Sequence, residues 1–410
     1  MNNIKMKIGF IDCLIFASIC ASFVYKIIGV DVPWQWGPFF RIVTIFLCLC
    51  AGIRLPKFQQ KEVNIFLLFS IPILLVSLYS IIIMLINGSD SSFFSRLLSN
   101  FLQLYLSYAQ ILFIYLRYNK KGFKILVYCA VVESIFSIIS GIIVYGIKPS
   151  IAYFIDPNLE PYGQGAALFT QHDMAFAMAF ILFFYIFSKS RKTKIDWLAI
   201  LFVLLVIYLA DKRIEIPSIL VLPFLYKLLK NRSKIFLSMF IKIFFIIVTA
   251  FSFIFLFAIY SGIIDQLIDK FQINTSGRTF LWDTTFSFTP FSFSYHGIGF
   301  RMASKVLFPY LSNYRNLGYT SEISLHNDIL DTYVGVGFLG LFSWILIWAF
   351  IIPKKILKLF STKTLIVYLV AIIYSFITYS TDNTMTYSIF QSLFMALIMH
   401  FFYEEKRDQK

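Results

Sequence analysis

His326 and Asn327 stand immediately before a Gly-rich apolar run, in SLHNDILDTYVGVGFLG, and Arg278 lies four residues ahead of Trp282 in GRTFLW. An imidazole that titrates near neutrality is suited to take the proton of a sugar hydroxyl. A guanidinium offers two parallel donors to a diphosphate or carboxylate, and on a short helix Arg278 and Trp282 share a face. A salt bridge from Arg278 to Asp269 or Asp283 is the structural alternative. A second cationic pair, Lys212 and Arg213 in DKRIEIP, occupies a short turn between apolar runs, where charge is costly unless it faces a cavity or pathway. Pairing with Asp211 and Glu215, with the long side chains reaching to headgroups, is the alternative there. His172 and Asp173, in TQHDMAF, are expensive against lipid, so they bind substrate hydroxyls or bond to a neighbouring helix. Helix capping accounts for Asn327, Asp328 and Asp331. It does not account for His326.

The elements that must position these groups are membrane helices. The 410 residues are 59% hydrophobic and 14% charged, with a mean hydropathy of +0.79, more apolar surface than a water-soluble domain can bury. Crossing the ~30 Å hydrocarbon layer takes about 20 apolar residues, and about twelve such runs can be counted, so the expectation is an all-α, polytopic transmembrane bundle. The expected division is residues 1–260 with nine spans, a long loop over 261–327, and 328–410 with three spans and a short tail. Lys and Arg collect in alternate connections, 24 of the 36 in seven short segments, which places both termini in the cytoplasm and the 261–327 loop outside. Arg41 and Lys242 are exceptions, expected to snorkel from within spans.

The net charge of +15 is therefore a topology signal. Cations scattered over seven segments form no nucleic-acid groove, and the bilayer is the expected surroundings. All five cysteines fall in expected helices, and Cys48 and Cys50 point to different faces, so no metal centre is expected. Walker, HExxH and G-x-S-x-G motifs are missing. A soluble nucleotide-sugar domain is missing too, so an activated sugar would have to arrive already joined to lipid.

An Arg after a mid-chain span, R-x-x-x-W in a long outer loop, a G-x-G turn, and H-N before a Gly-rich span together resemble the bacterial O-antigen ligase and O-antigen polymerase superfamily. In this chain the elements are Arg213; Arg278 with Trp282; Gly297 with Gly299; and His326 with Asn327, followed by Gly337 and Gly340. The resemblance covers roughly residues 165 to 345. It implies a glycosyltransferase with a GT-C-like architecture, inverting, without metal or cofactor, acting at the periplasmic face of the bacterial inner membrane. Donor and acceptor would be undecaprenyl-diphosphate-linked glycans, with a chain-length regulator protein as a further partner. Arg213 and Arg278 would hold the diphosphate and stabilise it as it leaves, and His326 would activate or orient the acceptor hydroxyl. Lys212, His172, Asp173, Trp282 and Asn327 are the expected substrate-binding residues. A polymerase, extending a lipid-linked repeat, is favoured over a ligase acting on lipid A core. From another class, a lipid-linked oligosaccharide flippase would more naturally show repeated halves and midplane charges.

Overall fold

The structure is a computed structural model, and it describes residues 9–24, 35–52, 60–88, 91–156, 172–188, 192–210, 214–272, 278–307 and 324–408. It is 85% helix, with no strand among the described residues. Among the described residues, helices occupy the expected apolar runs. Five stretches among the described residues are long and apolar enough to cross a membrane: Glu62–Ile86, Ser91–Tyr145, Lys234–Tyr260, Asp328–Leu359 and Thr362–Tyr379. Ser91–Tyr145 unites two helices, Ser91–Tyr118 and Gly122–Tyr145, on the expected runs 98–116 and 125–147, through the short turn Asn119–Lys121. Phe10–Phe23, Trp36–Cys50 and Met174–Phe187 are shorter apolar helices. By length and composition this is a multi-pass membrane protein.

Helix starts follow the capping chemistry of the sequence. Thr193 accepts from the Asp196 amide at 3.2 Å, and Asp196 accepts from the Thr193 amide at 2.9 Å. Ser233 accepts from Phe236 N, and Ser361 from Lys363 N and Thr364 N. Each cap closes a cation-bearing connection, and losing one costs about 1 kcal/mol.

The chain forms two compact units. The first comprises Met1–Leu67, Gln103–Tyr226 and Tyr387–Lys410. Its most buried helix is His172–Phe187, whose side chains from Met174 to Tyr185 are all buried, as expected of a helix that is apolar all round. Phe180 packs on Phe390 and Phe394 at ring separations of 4.7 and 5.6 Å. Arg41 does not snorkel. It is buried, 3% exposed, and its Nη2 donates to Ser388 Oγ at 2.5 Å, because a partner inside the unit costs less than carrying the guanidinium past the apolar flank of its own helix.

The second unit comprises Leu68–Leu102 and Lys227–Thr386. Among the described residues of the expected 261–327 loop there are three short helices, Ile263–Phe271, Arg278–Phe286 and Ala303–Leu307. Its central architectural event is a break in the helix Asp328–Leu346 at Gly337, where φ is +69° and ψ is −171°. The extended segment 295–299 lies along the opening. Ile298 N donates to Val334 O at 3.2 Å, Gly299 N to Gly335 O at 2.8 Å, and Phe338 N to Tyr295 O at 3.2 Å. Non-helical backbone inside a membrane protein is tolerated when such partners are present. A Cβ on Gly297 would collide with the Gly335 carbonyl, and one on Gly337 with the Tyr295 carbonyl. The G-x-G motif therefore does more than turn the chain. It lets the loop backbone dock against opened helix, and Asn87 Nδ2 fixes the Gly297 carbonyl at 3.3 Å.

Candidate active site

The start of the helix Asp328–Leu346 is built by Asn327, whose side-chain oxygen accepts from Leu330 N at 3.0 Å. Its amide nitrogen donates to Ser380 O at 3.2 Å. Asn327 is wholly buried, with both ends of its amide engaged, so capping and anchoring define its place in this structure. Asp328 Oδ2 accepts from Met385 N at 2.6 Å. These bonds hold the chain before the helix against the turn at residues 380–385.

His326 takes its direction from this junction. Its φ is +50°, a left-handed conformation that costs a non-glycine residue about 1–2 kcal/mol, and the next residue, Asn327, is extended at φ −161°. The side chain is 40% exposed, whereas that of Asp382 is 4% exposed. Nδ1 lies 3.5 Å from Asp382 Oδ1 and 3.4 Å from Asn383 Nδ2. Asp382 Oδ1 also accepts from Asn383 N at 2.8 Å. If Nδ1 carries the proton it donates to the carboxylate, which leaves the Nε2 lone pair free for a substrate proton. The other tautomer accepts from Asn383 and removes that capacity.

Arg278 and Trp282 meet the same junction from the helix Arg278–Phe286. Arg278 Nη1 donates to Thr381 O at 2.6 Å, and Trp282 Nε1 donates to Leu325 O at 3.0 Å. The expected shared face is thus used in two bonds, one to each side of the His326–Asp382 contact. Arg278 is directed to a carbonyl, not to Asp269 or Asp283, so charge remains available for an anionic ligand. Asp331 stands within electrostatic reach of Arg301 and Arg96, and Asp328 within reach of Arg301. The acids of the first turn therefore have cationic neighbours besides the helix amides.

The structure therefore brings together Arg278, Trp282, His326 and Asn327. Lys212 and Arg213 lie outside the described residues, as do the side chains of His172 and Asp173. Asp382, Asn383, Thr381, Arg301 and Arg96 join or flank this junction without having been singled out by the sequence. A signal was present: Asp382 is an acid in the connection between two apolar runs near the C-terminus. Nothing local pairs it with a histidine 56 positions earlier.

An open, polar junction of histidine, carboxylate and arginine, held at the ends of apolar helices, defines a multi-pass membrane protein with a candidate catalytic centre. Residues 176–345 match the model of a family described as O-antigen ligase. The match bears out the resemblance to the O-antigen ligase and polymerase superfamily, whose members are associated with glycosyl transfer. The matched segment includes Arg213, Arg278, His326 and the Gly337 break, and it ends before the turn that contributes Asp382. No curated protein matches the chain.

Proposed function

We propose that the protein is a membrane glycosyltransferase that transfers an undecaprenyl-diphosphate-linked glycan to the lipid-linked acceptor repeat, as an O-antigen or polysaccharide polymerase, at the periplasmic face of the inner membrane. The observation that carries this reading is the partly exposed His326, with Nδ1 facing a buried carboxylate, beside an arginine that no acid among the described residues neutralises. In the reaction, Asp382 holds the Nδ1–H tautomer and Nε2 accepts the proton of the acceptor hydroxyl. The hydroxyl oxygen forms a bond to the anomeric carbon from the face opposite the diphosphate, which departs with the bonding electron pair and inverts the centre. Arg278 stabilises the charge on the leaving diphosphate, an electrostatic role worth several kcal/mol in a dry site. Arg213 is assigned the same task on the sequence resemblance alone.

The alternating cation pattern supports cytoplasmic termini and a periplasmic 261–327 segment. The glycolipid profile of a deletion strain tests the acceptor. Single capped repeats are expected of a lost polymerase, whereas polymer stranded on its carrier would assign the chain as a ligase. Unprocessed lipid-linked repeats confined to the cytoplasmic leaflet would point to the flippase.

A further inference from the structure

Two polar side chains of the second unit line one small cavity, each with a buried oxygen that has no hydrogen-bond partner among the described residues. Ser252 sits in the apolar helix Lys234–Tyr260 and is wholly buried, and its Oγ is one of these atoms. Elsewhere in this unit Ser80 and Ser375 return their hydroxyls to the carbonyl four residues earlier, at 2.7 and 3.0 Å, an ordinary solution for a serine inside a helix. Ser252 forgoes that bond. The other atom belongs to Asp328, which is 1% exposed. Its Oδ2 accepts from Met385 N at 2.6 Å, and its Oδ1 is left over.

The cavity has a volume of about 10 Å³, and one water molecule needs roughly 10–15 Å³ and about two to four polar partners. Thr332 and Tyr379 add hydroxyls to the lining, and Leu341 and Phe376 close it with carbon. A water donates to a carboxylate oxygen and either donates to or accepts from a hydroxyl, so a single molecule satisfies both leftover atoms. Leaving them bare in the interior is costly. A divalent cation fits less well. It takes about six or more oxygens, more than this lining supplies, and Arg301 already brings positive charge within reach of Asp328.

The consequence lies at the other oxygen of Asp328. The terminal torsion of an aspartate is broad, so one bond to Met385 N leaves the carboxylate plane free to turn, and a second anchor at Oδ1 fixes it. Met385 belongs to the short turn Thr384–Thr386, whose Thr386 N donates to Asn383 O at 3.0 Å. Asn383 adjoins Asp382, the residue that faces His326. We propose that the cavity binds one water molecule joining Ser252 Oγ to Asp328 Oδ1, and that this bridge makes Asp328 a positioning residue for the turn that bears Asp382. The positioning role rests on the function proposed above; the water site does not.

Cryo-electron microscopy of the full-length protein in lipid nanodiscs, at a resolution that shows ordered waters, tests the site. Density is expected at about 2.5–3.0 Å from both oxygens and should be lost in Ser252→Ala. In transfer assays with undecaprenyl-diphosphate-linked repeats, Ser252→Ala should lower kcat about fivefold and Asp328→Ala at least about tenfold, since a misplacement of about 1 Å costs up to about 10²-fold. KM for the donor should stay unchanged. A merely structural role would instead reduce the folded fraction and leave kcat per folded molecule as it was. Asp328→Asn should recover most of the rate that alanine loses, because its carbonyl takes Met385 N and its amide donates to a water, which accepts as readily as it donates. An asparagine variant as slow as the alanine, a rate that requires added Na⁺ or K⁺, or a map that resolves other buried waters but none here overturns the water bridge. Wild-type kcat in Ser252→Ala, the variant that decides if Asp328→Ala does not fold, overturns the positioning role and leaves the transferase reading intact. A bridging water in a wild-type protein that transfers no glycan overturns the transferase reading instead.

Discussion

Two buried aspartates, one in each unit, show how the same residue type is used for support and for chemistry. Asp196 in the first unit receives Lys124 Nζ at 2.9 and 3.1 Å, the Thr193 amide and hydroxyl both at 2.9 Å, and the Tyr185 hydroxyl at 3.2 Å. Its bonding capacity is used by the protein, and its cation is taken. Asp382 in the second unit is equally sequestered, yet its contact to His326 is 3.5 Å long and the imidazole beyond it is 40% exposed. A closed network fixes helices. A loose carboxylate–imidazole contact leaves a nitrogen for a ligand, and such contacts tighten when substrate binds. Capacity left over, more than burial or charge, distinguishes the candidate catalytic acid–base group from the structural pair.

The sharpest way to break this comparison is His326→Ala. General-base assistance contributes about 10²–10⁴-fold, so turnover should fall within that range while lipid-linked donor still binds and protein abundance stays near normal. His326→Gln should retain part of the activity if orientation by hydrogen bonding is the main role. Wild-type turnover in the alanine variant, measured with purified protein, would reduce His326 to a neighbour of the helix cap. Asp382→Asn should lower turnover less than loss of the imidazole does, because the amide no longer favours the Nδ1–H tautomer. Next in size is Arg278→Ala, with a loss of about 10²–10³-fold if it stabilises the leaving diphosphate. Lysine should rescue it poorly because the planar fork is gone. Full activity of either Arg278 variant would leave the Thr381 carbonyl as its only purpose.

The apolar runs and cap residues made the helices legible in the sequence, since span length and capping are local properties. Arg278 and Trp282 on one face, and Asn327 as a cap, were legible for the same reason. The broken helix was not. Gly335, Gly337 and Gly340 are residues of a kind that ordinarily permits close helix packing, and the partner that gives Gly335 and Gly337 another role is the backbone of residues 295–299, some 40 positions earlier. Asp382 was equally hidden: a two-residue polar turn is the ordinary end of a hairpin, and only the fold brings it against His326.

Smaller effects are expected where capacity is already used. Asp196→Asn should remove the ion pair and lower stability by about 1–3 kcal/mol, with kcat unchanged in the protein that remains folded. A loss of turnover out of proportion to unfolding would make the first unit's closed network part of the chemistry.

The smallest effect is expected at Asp283, on the same short helix as Arg278. Burial and then the charge of Asp265 raise its carboxyl above the ordinary value of 3.8, and Asp265 is raised by burial and then by Asp269. The folded protein thus holds these protons more tightly than the unfolded chain does. Stability must therefore fall as pH rises from near 3.8 through the raised values, and the cost is fully present at neutrality. Asp283→Asn removes one of the repelling charges. Because the position is exposed, the gain should stay below about 1 kcal/mol. Thermal melts should show a slightly higher Tm than the wild type at pH 7 and convergence of the two near pH 3.5. A lower Tm at pH 7 would mean that Asp283 is held by an attraction stronger than its repulsion from Asp265, and the leftover charge near Arg278 would then be smaller than the comparison with Asp196 requires.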